Sequence, residues 1–277
     1  MKLLIAILAF MNWYYFPYES PSAPVEVEGV DVNLKRNELA FTFLAISDGE
    51  AALIQHANGE NVLVNTGGKG TLKEIDRLLA LFHVKQLSTI ILTANTEQEN
   101  LDPLIQKYNV RRIFTGKAGN QVLSETSIPT EVKVQSWKQG DLLKLMPGLT
   151  AEVIFDGEEE NEGTDISFQF FHHQIFYVSS ASHNSEQAFL EEPLRNVNIV
   201  KLPLFAAKGS FSDLLIEHLD PQLAIIFKSS SIKPDPDLVE MLHEAWIDVY
   251  FTKQHGTVTI KLTESTYDVI TIASEEE

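Results

Sequence analysis

The stretch Leu44-Ala45-Ile46-Ser47-Asp48-Gly49-Glu50-Ala51-Ala52-Leu53-Ile54, followed by Val62-Leu63-Val64-Asn65-Thr66-Gly67-Gly68, decides how the chain is read. Leu39 to Ile46 alternates as one strand, and Ala51 to Gln55 is an apolar second strand. Asn58-Gly59 stands between that strand and the returning Val62 to Val64, and suits a tight hairpin because both residues accept positive φ. The region is therefore a β-meander. Thr66-Gly67-Gly68 punctuates it, after which Leu72, Ile75, Leu78, Leu79 and Phe82 fall at helical spacing and Thr89 to Leu92 reads as a buried strand. A helix over about 97–108, with Pro103 in its first turns, and a strand from Val110 to Phe114 complete a meander followed by a βαβ unit.

The second half repeats that style. A strand near Ala151 to Phe155 leads into the acidic loop Asp156-Gly157-Glu158-Glu159-Glu160-Asn161-Glu162-Gly163, expected to be a solvated turn, and then into paired strands at 166–171 and 174–179. Helices at about 184–191, 211–218 and 236–244 alternate with strands at 197–202, 223–227 and 247–251, and a last strand covers 256–262. Two β-rich halves, each followed by helices, predict an α/β (α+β) chain with two sheets packed face to face and helices outside, a four-layer αββα sandwich. The expected divisions are a hydrophobic segment over 1–22, a linker over 23–38, the domain over 39–265 and a tail over 266–277, of which Ser274-Glu275-Glu276-Glu277 is expected to fray.

With 277 residues, 44% of them hydrophobic, the chain can bury a full core, which excludes disorder as its class. Its 21 basic and 39 acidic residues give a formal charge of -18, which repels phosphate backbones, so nucleic acid is not expected as a partner. The absence of cysteine removes disulfides, thiolate metal ligands and cysteine nucleophiles without deciding the compartment. At the start, Lys2 precedes an apolar run from Leu3 to Phe10 and the rings of Trp13, Tyr14, Tyr15 and Phe16. The run is shorter than the roughly 20 residues that span a bilayer, so it resembles a signal peptide or a short anchor. Ser20 and Ser22 suit cleavage before Ala23, whereas the aromatic rings suit an uncleaved anchor touching the membrane through residues 3–16. Both place the protein outside the cytoplasm, secreted or tethered; the alternative is a buried N-terminal strand or helix.

The two opening stretches resemble the start of the metallo-hydrolase domain of competence DNA-uptake channel (ComEC-like) proteins, where the matching runs read L-D-V-G-Q-G-D-A-x-L-I and L-I-D-T-G-G. Leu87-Ser88-Thr89-Ile90-Ile91-Leu92-Thr93 is similar to the strand that enters the family's metal-binding loop. Lys233-Pro234-Asp235-Pro236-Asp237-Leu238-Val239 resembles its H-P-H-P-x-x-L, and Thr252-Lys253-Gln254-His255-Gly256-Thr257-Val258-Thr259 its T-D-x-x-G-T-I-x. These ordered blocks, covering about 40–262, imply the metallo-β-lactamase fold. The family's chemistry rests on two metal ions that generate hydroxide, held by H-x-H-x-D-H, a later Asp and further His residues. By the same resemblance, the three His positions of that motif hold Ala94, Thr96 and Glu99, and its Asp position holds Gln98. The bridging Asp becomes Ala181, a later His-His-Gly-Ser falls on Leu204-Phe205-Ala206-Ala207, the last His is Lys233, and the Asp of D-T-G-G is Asn65. Of the replacements in the H-x-H-x-D-H run, only Glu99 is a strong ligand, so no metal and no cofactor is expected.

The remaining residues offer no second site. The eight histidines, His56, His83, His172, His173, His183, His218, His243 and His255, make no H-x-H or H-x-x-x-H pair, and His172-His173 point to opposite faces at a hairpin turn. His183-Asn184-Ser185 reads as a helix start. No G-x-S-x-G occurs, Ser229-Ser230-Ser231 reads as a polar loop, and Gly67-Gly68-Lys69-Gly70 lacks the spacing of a phosphate loop. The expectation is a noncatalytic pseudo-enzyme that binds or scaffolds a protein partner. The alternative is a hydrolase of phosphodiesters or esters, with relocated metal ligands or none.

Overall fold

A computed structural model describes residues 29–94, 100–124 and 127–273. The meander is β1 (Leu39–Phe43), β2 (Ala52–His56) and β3 (Asn61–Val64), followed by α1 (Leu72–Leu81), β4 (Thr89–Leu92), α2 (Leu101–Lys107), β5 (Arg112–Thr115), α3 (Lys117–Ser124) and β6 (Lys133–Ser136). The second half opens with β7 (Leu142–Met146), β8 (Leu149–Asp156), β9 (Thr164–Phe170) and β10 (His173–Tyr177). It continues with α4 (His183–Glu191), β11 (Ile199–Lys201), α5 (Asp213–Leu219), β12 (Leu223–Ile226), α6 (Pro236–Glu244) and β13 (Asp248–Phe251). It ends with α7 (Thr252–His255), β14 (Thr257–Leu262) and β15 (Tyr267–Ile272).

Among the described residues one sheet runs β15-β14-β1-β2-β3-β4-β5-β6 and the other β13-β12-β11-β10-β9-β8-β7. The alternation of side chains along each strand explains why they face each other. Leu39, Phe41 and Phe43 of β1, Ile54 of β2 and Val62 and Val64 of β3 enter one apolar seam with Phe168, Ile175, Tyr177, Ile199 and Ile225 of the second sheet. The alternate residues Leu53 of β2, Leu63 of β3 and Ile90 and Leu92 of β4 point the other way and meet Ile75, Leu78 and Leu79 of α1 and Leu104 of α2 in a second seam. Phe176, Val200, Ala224 and Ile226 meet Phe189 of α4, Leu215 of α5 and Leu242 of α6 in a third. Three seams require four layers, αββα, and every central strand is covered on both faces.

Several boundaries differ from expectation. The segment expected as a tail carries β15, which pairs with β14 from Thr257↔Ile272 to Leu262↔Tyr267. The part of the expected linker that is described is held to the domain: Val30 N donates to Leu81 O (2.8 Å), and Lys261 Nζ donates to Asn33 O (2.9 Å). Pro103 lies in the first turn of α2, where its missing N–H would have had no helical partner. The acidic loop is not simply solvated: Asp156 is buried and accepts from Lys117 N (2.9 Å) and Thr164 Oγ1 (3.0 Å), while Glu162 accepts from Ser182 Oγ (2.7 Å). Ser182 in turn caps α4 in a reciprocal box with Ser185.

Candidate functional site: a buried polar network between the sheets

The carboxyl ends of β3, β4, β10 and β11 meet at one end of the sandwich. Asn65, just past β3, takes φ 60, a left-handed conformation that asparagine tolerates better than most residues. Its amide then turns inward, donating to Thr93 Oγ1 (2.8 Å) and Tyr177 OH (3.3 Å) while Oδ1 accepts from Thr93 N (2.9 Å). Gly67, two residues on, takes φ 76, and a Cβ there would lie 2.5 Å from Thr71 Oγ1, so the turn demands glycine. Gly67 N donates to Glu50 O (2.9 Å), which fastens this turn to the β1–β2 loop.

Glu50 reaches across to the second sheet. Its Oε2 lies 2.6 Å from Lys201 Nζ, whose side chain is 0% exposed, and accepts from Tyr177 OH at 3.2 Å. The ammonium also stands over the Tyr177 ring, 4.3 Å from its centroid. Burial pushes the Lys201 amine below the ordinary lysine range, and Glu50 and then Asp165 pull it back. Burial, reinforced by the Glu50 charge, holds the Tyr177 hydroxyl well above the ordinary tyrosine range.

The network continues through Ser179, whose Oγ donates to Thr93 Oγ1 (2.8 Å). Ser179 N (2.6 Å) and Ser180 N (2.9 Å) both donate to Asp165 Oδ1, and the Ser180 hydroxyl donates to Oδ2. Asp165 is completely buried. Burial pushes its carboxyl up to about 7 against the opposing pull of these hydrogen bonds and of Lys201.

The positions singled out from the resemblance divide into three groups. Asn65 belongs to the network, Ala94 follows its member Thr93, and Ala181 follows Ser180 with its N–H on Asn161 O (2.8 Å). Leu204 and Phe205 lie in the turn directly after β11, with φ of 46 and 56, and Phe205 packs against the seam between the sheets. Lys233 is exposed on a loop joined to that turn by Asp235 N donating to Ala206 O (2.8 Å). Thr96, Gln98 and Glu99 lie outside the described residues. Ser229 Oγ (3.1 Å) and Ser230 N (2.8 Å) donate to Asp48 Oδ1, so that polar loop borders the same end of the sandwich.

The donors of the described residues at this end of the sandwich do not fit a metal ion. Among the described residues no three His, Asp or Glu side chains form a group that could hold one. Asn65, Thr93, Tyr177 and Ser179 offer an amide and protonated hydroxyls, whereas metal binding selects deprotonated donors. Glu50 is already engaged by an ammonium, and Asp165 by three hydrogen bonds. A cleft of about 540 Å³ beside Val30, His56 and His83, and one of about 350 Å³ beside Lys117 and Trp137, contain no member of this network.

Glu50, Asp165, Tyr177 and Lys201 were not singled out from sequence. The available signal was a charged residue inside an apolar strand, as in Ile199-Val200-Lys201-Leu202, since a buried charge requires a partner.

Two facing sheets flanked by helices, with the polar loops gathered at one end, define the metallo-β-lactamase fold, and this chain has it. It is similar to the metallo-β-lactamase fold protein YhfI from Bacillus subtilis, with a TM-score of 0.60 and 13% identity over 80% of this chain and 99% of that one. A long form RNase Z from yeast (TM-score 0.53, 10% identity, 87% of this chain and 50% of that one) shares the fold. So does the β-hydroxylase CmlA (TM-score 0.54, 11% identity, 81% of this chain and 54% of that one). The chain spans about half the length of these last two. No protein-family model matches it, and no curated protein matches its sequence.

Proposed function

We propose that this protein is a noncatalytic member of the metallo-β-lactamase fold, most akin to the ComEC-like domain, that acts outside the cytoplasm as a binding or scaffold protein for a protein partner. The observation that carries the proposal is the Lys201 ammonium, locked to Glu50 at 2.6 Å between the sheet ends where the resemblance puts metal ions. A fixed cation there repels a second one. The neutral hydroxyls and the Asn65 amide around it supply neither a metal-bound hydroxide nor a free base for hydrolysis. Fold alone does not transmit activity, so the site governs the reading.

A hydrolase, with relocated ligands or without metal, is the second reading, and it draws on the presence of an RNase Z among proteins of the same fold. Elemental analysis of the full-length protein, with assays on bis(p-nitrophenyl) phosphate and p-nitrophenyl acetate, separates the two. The noncatalytic proposal expects substoichiometric zinc, manganese and iron and no turnover above buffer. Stoichiometric metal with hydrolysis abolished by a chelator would establish the second reading instead. The extracytoplasmic proposal comes from residues 1–22, outside the described region, and recovery of the full-length chain in the cytosolic fraction would refute it.

A further inference from the structure

We infer that Lys201 is a built-in structural cation, tethering the two sheets across the end of the sandwich where the resemblance places metal ions. The inference rests on the network being metal-free, as proposed above, and goes on to say what occupies the metal's structural role. Lys201 and Tyr177 are the paired last residues of β11 and β10 in the second sheet. Glu50 belongs to the β1–β2 loop and Asn65 to the end of β3, both in the first. Asn65 donates to Tyr177 OH, Tyr177 OH to Glu50, and Lys201 to the same Glu50 oxygen, so the contacts form one connected set spanning both sheets.

The charge matters as well as the contacts. Burial lowers the pKa of the Lys201 amine, and the Glu50 carboxylate in direct contact, with a smaller pull from Asp165, opposes that loss of charge. An ammonium held by a carboxylate from the facing sheet is the electrostatic part of what a metal ion does between two elements. The tether reaches further through Glu50, whose carbonyl holds Gly67, while Asn100 Nδ2 donates to Thr66 O (2.8 Å) and Gly68 O (2.9 Å) and fixes the same turn from α2. Lys201 thus holds the loop that carries the run Asn65-Thr66-Gly67-Gly68.

Urea unfolding of the full-length protein tests the role. Glu50→Gln strands the ammonium and is expected to lower the folded-to-unfolded ratio by about 100-fold or more. Adding Lys201→Met to that variant is expected to recover most of the loss, giving a coupling of about 10-fold or more in the double-mutant cycle. Lys201→Ala is expected to regain stability in propylammonium chloride and not in propanol, because only the ammonium returns the charge. Coupling below about twofold, or a folded Lys201→Ala variant indifferent to propylammonium, overturns the inference. If Lys201→Ala does not fold, the cycle through Glu50→Gln decides alone. Stoichiometric zinc would fail the noncatalytic reading whatever the cycle gave, whereas a cycle without coupling fails the tether and leaves that reading intact.

Discussion

Asp165→Asn turns the enclosed carboxylate of Asp165 into a measurement. In the folded protein this group titrates at about 7, raised by burial from an unfolded value of 3.8. Between those values the folded state holds a proton that the unfolded state has released, so the folded state binds more protons and stability falls as pH rises. The contribution is fully present below the unfolded value and is lost as pH climbs through 7. For a folded value of about 7, the loss between roughly pH 5.5 and 8.5 is about 2 kcal/mol, most of it below pH 7.5. Asparagine keeps the shape and an acceptor oxygen for Ser179 N and Ser180 N but carries no charge, so the variant lacks this slope. Other groups titrate in the same range, and subtracting the variant's profile from that of the unaltered protein cancels them to first order. Urea midpoints across that pH range are the assay, and the expected result is a variant whose relative stability improves by about 2 kcal/mol toward alkaline pH. A difference profile that stays flat across that range would show that the two backbone donors, the Ser180 hydroxyl and Lys201 hold the carboxyl ionised throughout, and the burial argument would be wrong.

Two further perturbations probe the frame around the network. Ser182→Ala removes an oxygen that accepts from Ser185 N (3.1 Å) and donates to Glu162 (2.7 Å), so it should cost about 1 kcal/mol in urea unfolding; no change would show that the α4 cap is redundant. Truncation after Ser265 deletes β15, strips Tyr267 and Val269 from the seam they pack against and bares the β14 edge. The shortened chain is expected to associate or aggregate in size-exclusion chromatography, and a stable monomer would show that this strand is dispensable.

The central strands are legible because each is covered on both faces and so carries a dense apolar run: the pattern gives β4 its observed limits, Thr89–Leu92, and β1 to β3 theirs to within a few residues. The strands that hydrophobic pattern leaves out lie at sheet edges, where water replaces one neighbour and the apolar signal thins, and the short helices α3 and α7 span too few turns to show a clear apolar period. All four residues of β6 are exposed, Leu142 of β7 is 68% exposed, and β15 alternates without a buried residue. Hydrophobic periodicity reports burial, and an edge strand held mainly by its ladder of backbone hydrogen bonds leaves little for it to detect.

The buried polar network is invisible to local pattern for a different reason. Asn65 and Ala181 could be named because each stands inside a local run that resembles a motif. Glu50 and Lys201 are 151 residues apart, and neither gives any sign of the other until two sheets bring them together. Asp165 likewise depends on Ser179 and Ser180, 14 and 15 residues away on the far side of a hairpin. A local motif carries no information on what balances a charge brought in from another sheet. If Glu50 and Asp165 are to remain within the closing ends of two sheets, the low-dielectric surroundings demand either a proton or a cation for each. The salt bridge gives Lys201 to Glu50, and burial holds the Asp165 carboxyl up at about 7, so a lysine at the end of an apolar strand and a proton balance the two carboxylates enclosed there.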